Sequence, residues 1–67
     1  MTTDKRFVMR LKRLRADREM TQEALAKKAG IARTYLARLE LGQQDPTLGT
    51  LRKLAKALKV TVGKLVE

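Results

Sequence analysis

Two short amphipathic segments are joined only by Ala29-Gly30-Ile31-Ala32, and no other feature constrains the fold of this chain as much. Helices linked that tightly must cross steeply, and a steep crossing needs a small side chain at the contact. Ala26 stands one turn before Gly30, where a larger residue would force the pair apart. Gly30 follows the last turn of the first segment, the place where a left-handed residue ends a helix without a Cβ penalty. Leu25, Ala29, Ile31, Leu36 and Leu39 are spaced to supply one shared apolar interior.

The remainder of the chain builds outward from this corner. β-branched residues are scarce, no alternation of period two is present, and Ala, Leu, Lys, Arg and Glu dominate. The periodicity predicts an all-α fold of five helices. The first runs from about Asp4 to Arg18, with Phe7 or Val8, Leu11 and Leu14 as its apolar stripe and Met20 just beyond its end. Asp4 in its first turn and Arg18 in its last suit the helix dipole. The second spans about Gln22 to Ala29 behind Thr21 as N-cap. The third covers about Arg33 to Leu41 and stops at Gly42. The polar stretch Gln43-Gln44-Asp45-Pro46 carries the single proline. A fourth helix follows Thr47 and runs to about Lys59, with Leu48, Leu51, Leu54, Ala55 and Leu58 at helical spacing. The fifth is short, capped by Thr61, and carries Val62, Leu65 and Val66.

A chain of 67 residues is one domain near the lower size limit for a self-sufficient core. With no Cys to form a disulfide and no Cys/His cluster for a metal, it closes that core by aliphatic packing or gains stability by dimerising. Neither a membrane-spanning run of about 20 apolar residues nor a signal-peptide pattern occurs, which fits a soluble, cytoplasmic protein. Sixteen Lys plus Arg against seven Asp plus Glu give a net charge of +9. An excess of that size repels itself in the compact state and points to a polyanionic partner, nucleic acid before an anionic membrane surface. Enzyme chemistry is poorly served. His, Cys and Ser are absent, the carboxylates are scattered, and no Gly-rich phosphate loop occurs. Neither a cofactor nor a small-molecule ligand is expected.

From Gln22 to Leu41, each position of a helix-turn-helix has a packing reason and all are filled together: Leu25 and Ala26, Gly30 with Ile31, then Leu36 and Leu39. The stretch MTQEALAKKAGIARTYLARLELGQQDPTLGTLRKLAKALKV, residues 20–60, resembles the small five-helix, lambda-repressor-like domains of the phage repressor and Cro family, the XRE-like group. Thr21-Gln22, Glu40 before Gly42, and Pro46-Thr47-Leu48 sharpen the resemblance, which extends from about Leu11 to Leu65. On this basis residues 1–67 form a single helix-turn-helix DNA-binding domain, with the motif at about 22–41.

The resemblance implies roles for individual residues. The third helix would lie in the major groove, with Arg33, Thr34 and Arg38 meeting base edges and Ala37 leaving room for the groove floor. Arginine can bond guanine O6 and N7 bidentately, while Thr34 can offer a hydroxyl or meet a thymine methyl. Without the resemblance, the same side chains read as a solvated face. Gln22 would contact a phosphate at the start of the second helix. Tyr35 would send its hydroxyl to a phosphate or pack half-buried with a wet tip. Gln43 and Gln44 match backbone-contacting loop positions, or are simply polar loop. Glu40 faces the negative end of its helix dipole and needs a compensating cation. The family pairs this glutamate with a basic residue late in the first helix, and Arg15 occupies that position. Two departures stand out: Ala32 replaces the frequent hydroxyl cap of the third helix, and Leu41 stands where a polar residue is usual.

One reading helix covers only a few base pairs. A two-fold dimer doubles the affinity and places two such helices about 34 Å apart, one turn of DNA. The surplus apolar residues Val60, Val62, Leu65 and Val66 are expected to form the dimer contact, or to close the small core. Three function classes follow. The first is a homodimeric transcriptional regulator binding a palindromic double-stranded operator, as Cro-like repressors and restriction–modification controllers do. The second is an antitoxin-like protein that binds both DNA and a toxin. The third is a nonspecific cationic binder, which the scarcity of aromatic stacking residues disfavours.

Overall fold

The computed structural model describes residues 4–66. The expected single domain also takes in residues 1–3 and 67, which lie outside the described residues. Five helices occur in the order α1 (Lys5–Asp17), α2 (Gln22–Ala29), α3 (Arg33–Glu40), α4 (Leu48–Leu58) and α5 (Val62–Val66), with no strand among the described residues. Helices α2 and α3, joined by the short turn at residues 30–32, pack against one another. α3 packs on α1 as well, α4 covers α2, and α5 closes the opposite end against α1 and α4.

Hydroxyl caps start most of these helices. Thr21 Oγ1 accepts from Ala24 N, Thr47 Oγ1 from Thr50 N and Thr61 Oγ1 from Lys64 N, at 3.0, 3.0 and 3.1 Å. Asp4 lies one position outside the first turn expected for it. It is the N-cap of α1 and accepts from Arg6 N at 2.9 Å, and that backbone bond, with Arg6's charge, holds its carboxyl below the usual aspartate range. Helix α3 has no side-chain cap at Ala32, and its last helical residue is Glu40, with Leu41 as C-cap. α4 ends at Leu58, because Lys59 adopts a left-handed φ of 59°. Arg18 leaves the dipole of its own helix and donates from Nε to the Leu58 carbonyl at 3.0 Å, satisfying a carbonyl at the C-terminal end of α4.

The core is aliphatic apart from Phe7. Leu11, Leu25, Leu36, Leu39, Leu54, Leu58 and Leu65 are fully buried, and every helix contributes at least one of them. Ala26, Ala29, Ala55 and Ala57 are buried too, and their small side chains let the helices approach closely. Gly30 takes a φ of 73°, and the N–H of Ile31 bonds the Ala26 carbonyl at 3.0 Å to tie off the turn.

Candidate nucleic-acid interface

The outer surface of α3 is set by what its inner surface must do. Leu36, Leu39 and Glu40 are buried, so helical spacing leaves Arg33, Thr34, Ala37 and Arg38 on the remaining perimeter. Arg33, Thr34 and Arg38 are exposed and Ala37 is half-buried. Neither the Arg33 nor the Arg38 guanidinium has a hydrogen-bond or ion-pair partner among the described residues. Both remain available to an external acceptor.

A buried carboxylate holds this surface in place. Glu40 is only 4% exposed and lies beneath α3. Arg15 grips it with two parallel bonds, Nε to Oε2 at 2.8 Å and Nη2 to Oε1 at 3.0 Å. The remaining terminal nitrogen, Nη1, donates to the Met20 carbonyl at 2.8 Å, which anchors the turn after α1. Gln22 Nε2 adds a third bond to Glu40, reaching Oε1 at 3.0 Å. Three helices thereby meet on one carboxylate. A charge this deeply buried is tolerated only when paired and hydrogen-bonded, as it is here.

Gln22 therefore serves the interior network, which the sequence does not reveal: glutamine is an ordinary first-turn residue, and no spacing rule points it at Glu40. The other amide hydrogen and the carbonyl of Gln22 are not used in this network. Gln22 and Arg33 line the same shallow depression, of about 520 Å³, together with Arg15, Thr21 and Glu23. The N-terminal ends of α2 and α3 thus present their polar groups to one region of surface.

Tyr35 lies on the other flank of α3, half-buried, with its hydroxyl 3.1 Å from Thr50 Oγ1. Thr50 Oγ1 is 3.0 Å from Thr47 Oγ1, so a chain of hydroxyls links α3 to the start of α4. Thr50 was not among the site residues expected from sequence. Its placement at i+3 from a helix-capping threonine was the available signal. Gln43 and Gln44 are exposed after α3, and the Gln43 N–H bonds the Arg38 carbonyl at 2.9 Å.

Of the residues expected at a dimer contact, Leu65 is 0% exposed and belongs to the core of its own chain. This follows from α5 lying across α1 and α4, which turns Leu65 inward. Val60 and Val62 are half-buried against the same core. Val66 remains 52% exposed, on the rim of a cleft of about 250 Å³ lined also by Phe7, Pro46, Leu51 and the acidic residues Asp4 and Asp45. Among the described residues, no group of three or more acidic or thiol side chains is arranged to hold a metal, and no helix is long and apolar enough to cross a membrane.

The helix-turn-helix family model matches residues 11–65. The immunity repressor protein of Bacillus phage phi105 is 42% identical over 57 residues, which are 85% of this chain and 40% of the repressor. The chain thus spans well under half of that relative's length. Among solved structures, the restriction–modification controller protein C.AhdI from Aeromonas hydrophila superposes with a TM-score of 0.87 at 37% identity, covering 90% of this chain and 91% of that one. SinR, described as the master regulator for biofilm formation and solved in complex with DNA, gives a TM-score of 0.87 at 32% identity, covering 91% and 98%.

Proposed function

The chain belongs to the XRE-like helix-turn-helix family, and we propose from that premise that it is a transcriptional regulator binding a two-fold-symmetric operator in double-stranded DNA as a homodimer. One observation carries the reading. Two exposed guanidinium groups without partners among the described residues, Arg33 and Arg38, project from a helix fixed from beneath by the Arg15–Glu40–Gln22 network. A rigid mount with free donors suits base recognition, because donors held in place lose little freedom on binding.

In this reading α3 lies in the major groove. Arg33 and Arg38 address guanines and Thr34 a neighbouring base, as their donor geometry allows. Gln22 and Tyr35 flank α3 on opposite sides and, with Gln43 and Gln44, contact the phosphate backbone. The net charge of +9 adds salt-sensitive attraction to DNA as a whole. The protein acts where the DNA is, inside the cell.

The dimer seam is centred on Val66 and its cleft, joined by exposed Leu48, which shares a face of α4 with Leu51. Val60 and Val62 support it from the side.

Selection of binding sites from random duplex DNA tests the assignment, with Arg33→Ala and Arg38→Ala run in parallel. Each substitution is expected to relax preference at its own base pairs and cost about 1–3 kcal/mol. Base preferences that persist unchanged in both variants would remove α3 from the groove.

A further inference from the structure

Leu41 is 69% exposed, the most of any large hydrophobic side chain among the described residues. It follows Thr34 by seven positions, Ala37 by four and Arg38 by three, so it continues the outward line of α3. It is not one of the core residues of this helix, which are Leu36 and Leu39. Its backbone is held firmly. The Leu41 N–H reaches the Ala37 and Arg38 carbonyls at 3.1 and 3.2 Å, and the next two N–H groups bond Leu39 and Arg38. A leucine fixed in water at the end of an otherwise polar recognition surface has chemistry that arginine and threonine do not supply.

The major groove displays one apolar feature, the 5-methyl group of thymine. We propose that Leu41 is a specificity-determining residue of the DNA interface and packs against the methyl of a thymine. The inference rests on the reading that α3 enters the major groove. At about 1.5 Å rise per residue, Leu41 stands about 10 Å beyond Thr34 along the helix. The thymine therefore lies apart from the position addressed by Thr34, on the side approached by the C-terminal end of α3.

The test uses the whole chain and its selected duplex, with each thymine replaced in turn by uracil, which lacks only the methyl group. Fluorescence anisotropy is measured for the wild type and for Leu41→Ala. At one position uracil is expected to weaken wild-type binding about fourfold, the burial of one methyl-sized group. Leu41→Ala is expected to lose a similar factor on the thymine duplex and to be indifferent to uracil there. Its melting temperature stays unchanged. Wild-type binding insensitive to uracil at every position overturns this inference alone, as does a variant that remains as sensitive as the wild type. A Leu41→Ala variant whose sedimentation mass falls assigns the side chain to self-association and overturns it too. Failure of the wild type to select any sequence overturns the major-groove reading, and this inference with it.

Discussion

Arg15 and Arg13 are two positions apart on α1 and carry the same charge, yet the structure assigns them opposite weights. Arg13 is exposed, and its side chain has no partner among the described residues. Arg15 spends its guanidinium on Glu40 and the Met20 carbonyl. Removing Arg15 leaves a carboxylate that is 4% exposed without its counter-charge, a loss of about 3 kcal/mol or more. Removing Arg13 deletes an exposed cation and is expected to change stability by no more than about 0.5 kcal/mol. Thermal unfolding of Arg15→Ala and Arg13→Ala checks this, and equal melting temperatures would refute the role given to the pair. This part of the site was legible in sequence because a glutamate in the last turn of a helix needs a cation, and the family resemblance supplied which one. The share taken by Gln22 was not. A glutamine amide can turn to water, to a phosphate or inward, and only the approach of α2 to α3 decides among them.

At the scale of elements, the corner between α2 and α3 depends on one backbone conformation. Gly30 has a φ of 73°, and a Cβ built there would meet nothing within 4 Å. The glycine is required for its dihedral angle and not for lack of space. Gly30→Ala is therefore expected to destabilise the domain by about 1–2 kcal/mol, the cost of a left-handed L-residue. Gly30→Asn should cost less, since asparagine enters that region more readily. Chemical denaturation of the two variants orders them, and an alanine variant as stable as the wild type would contradict the assignment. Helix positions were largely legible because Thr21, Thr47 and Thr61 announce three starts and Gly30 and Gly42 two stops. The ends without such markers were not. Leu41 and Lys59 continue an apolar or basic helical pattern, and it is the backbone that ends each helix, through the left-handed φ of Lys59 itself and of Gly42 just after Leu41. Arg18 escaped the sequence for a related reason, because its partner, the Leu58 carbonyl, is 40 residues away.

At the scale of the whole molecule, the proposed homodimer would give a chain with one reading helix enough contact with DNA, and its seam is proposed at the C-terminal end. The sequence shows four apolar residues there without saying which are consumed internally. Burial of Leu65 depends on how α5 crosses α1 and α4, a relation between elements far apart in the chain. The structure separates two neighbours that sequence treats alike: Leu65 is at 0% exposure and Val66 at 52%. Their substitutions should fail in different ways. Leu65→Ala opens a cavity in a small core and is expected to cost about 2–5 kcal/mol, enough to unfold a domain of this size. Val66→Asp adds charge to an exposed position and should leave the melting temperature of the monomer nearly unchanged. Placed at a two-fold seam, however, it brings two carboxylates together in an apolar contact, and association should weaken strongly. Sedimentation equilibrium is then expected to give a dimer for the wild type and a monomer for Val66→Asp. Affinity for a full palindrome should fall steeply while affinity for a half-site is retained, because each reading helix is intact and only the link between the two is lost. A Val66→Asp chain that still sediments as a dimer would move the seam elsewhere. A wild type that remains monomeric through high micromolar concentration, and still monomeric on the palindrome, would remove the dimer itself.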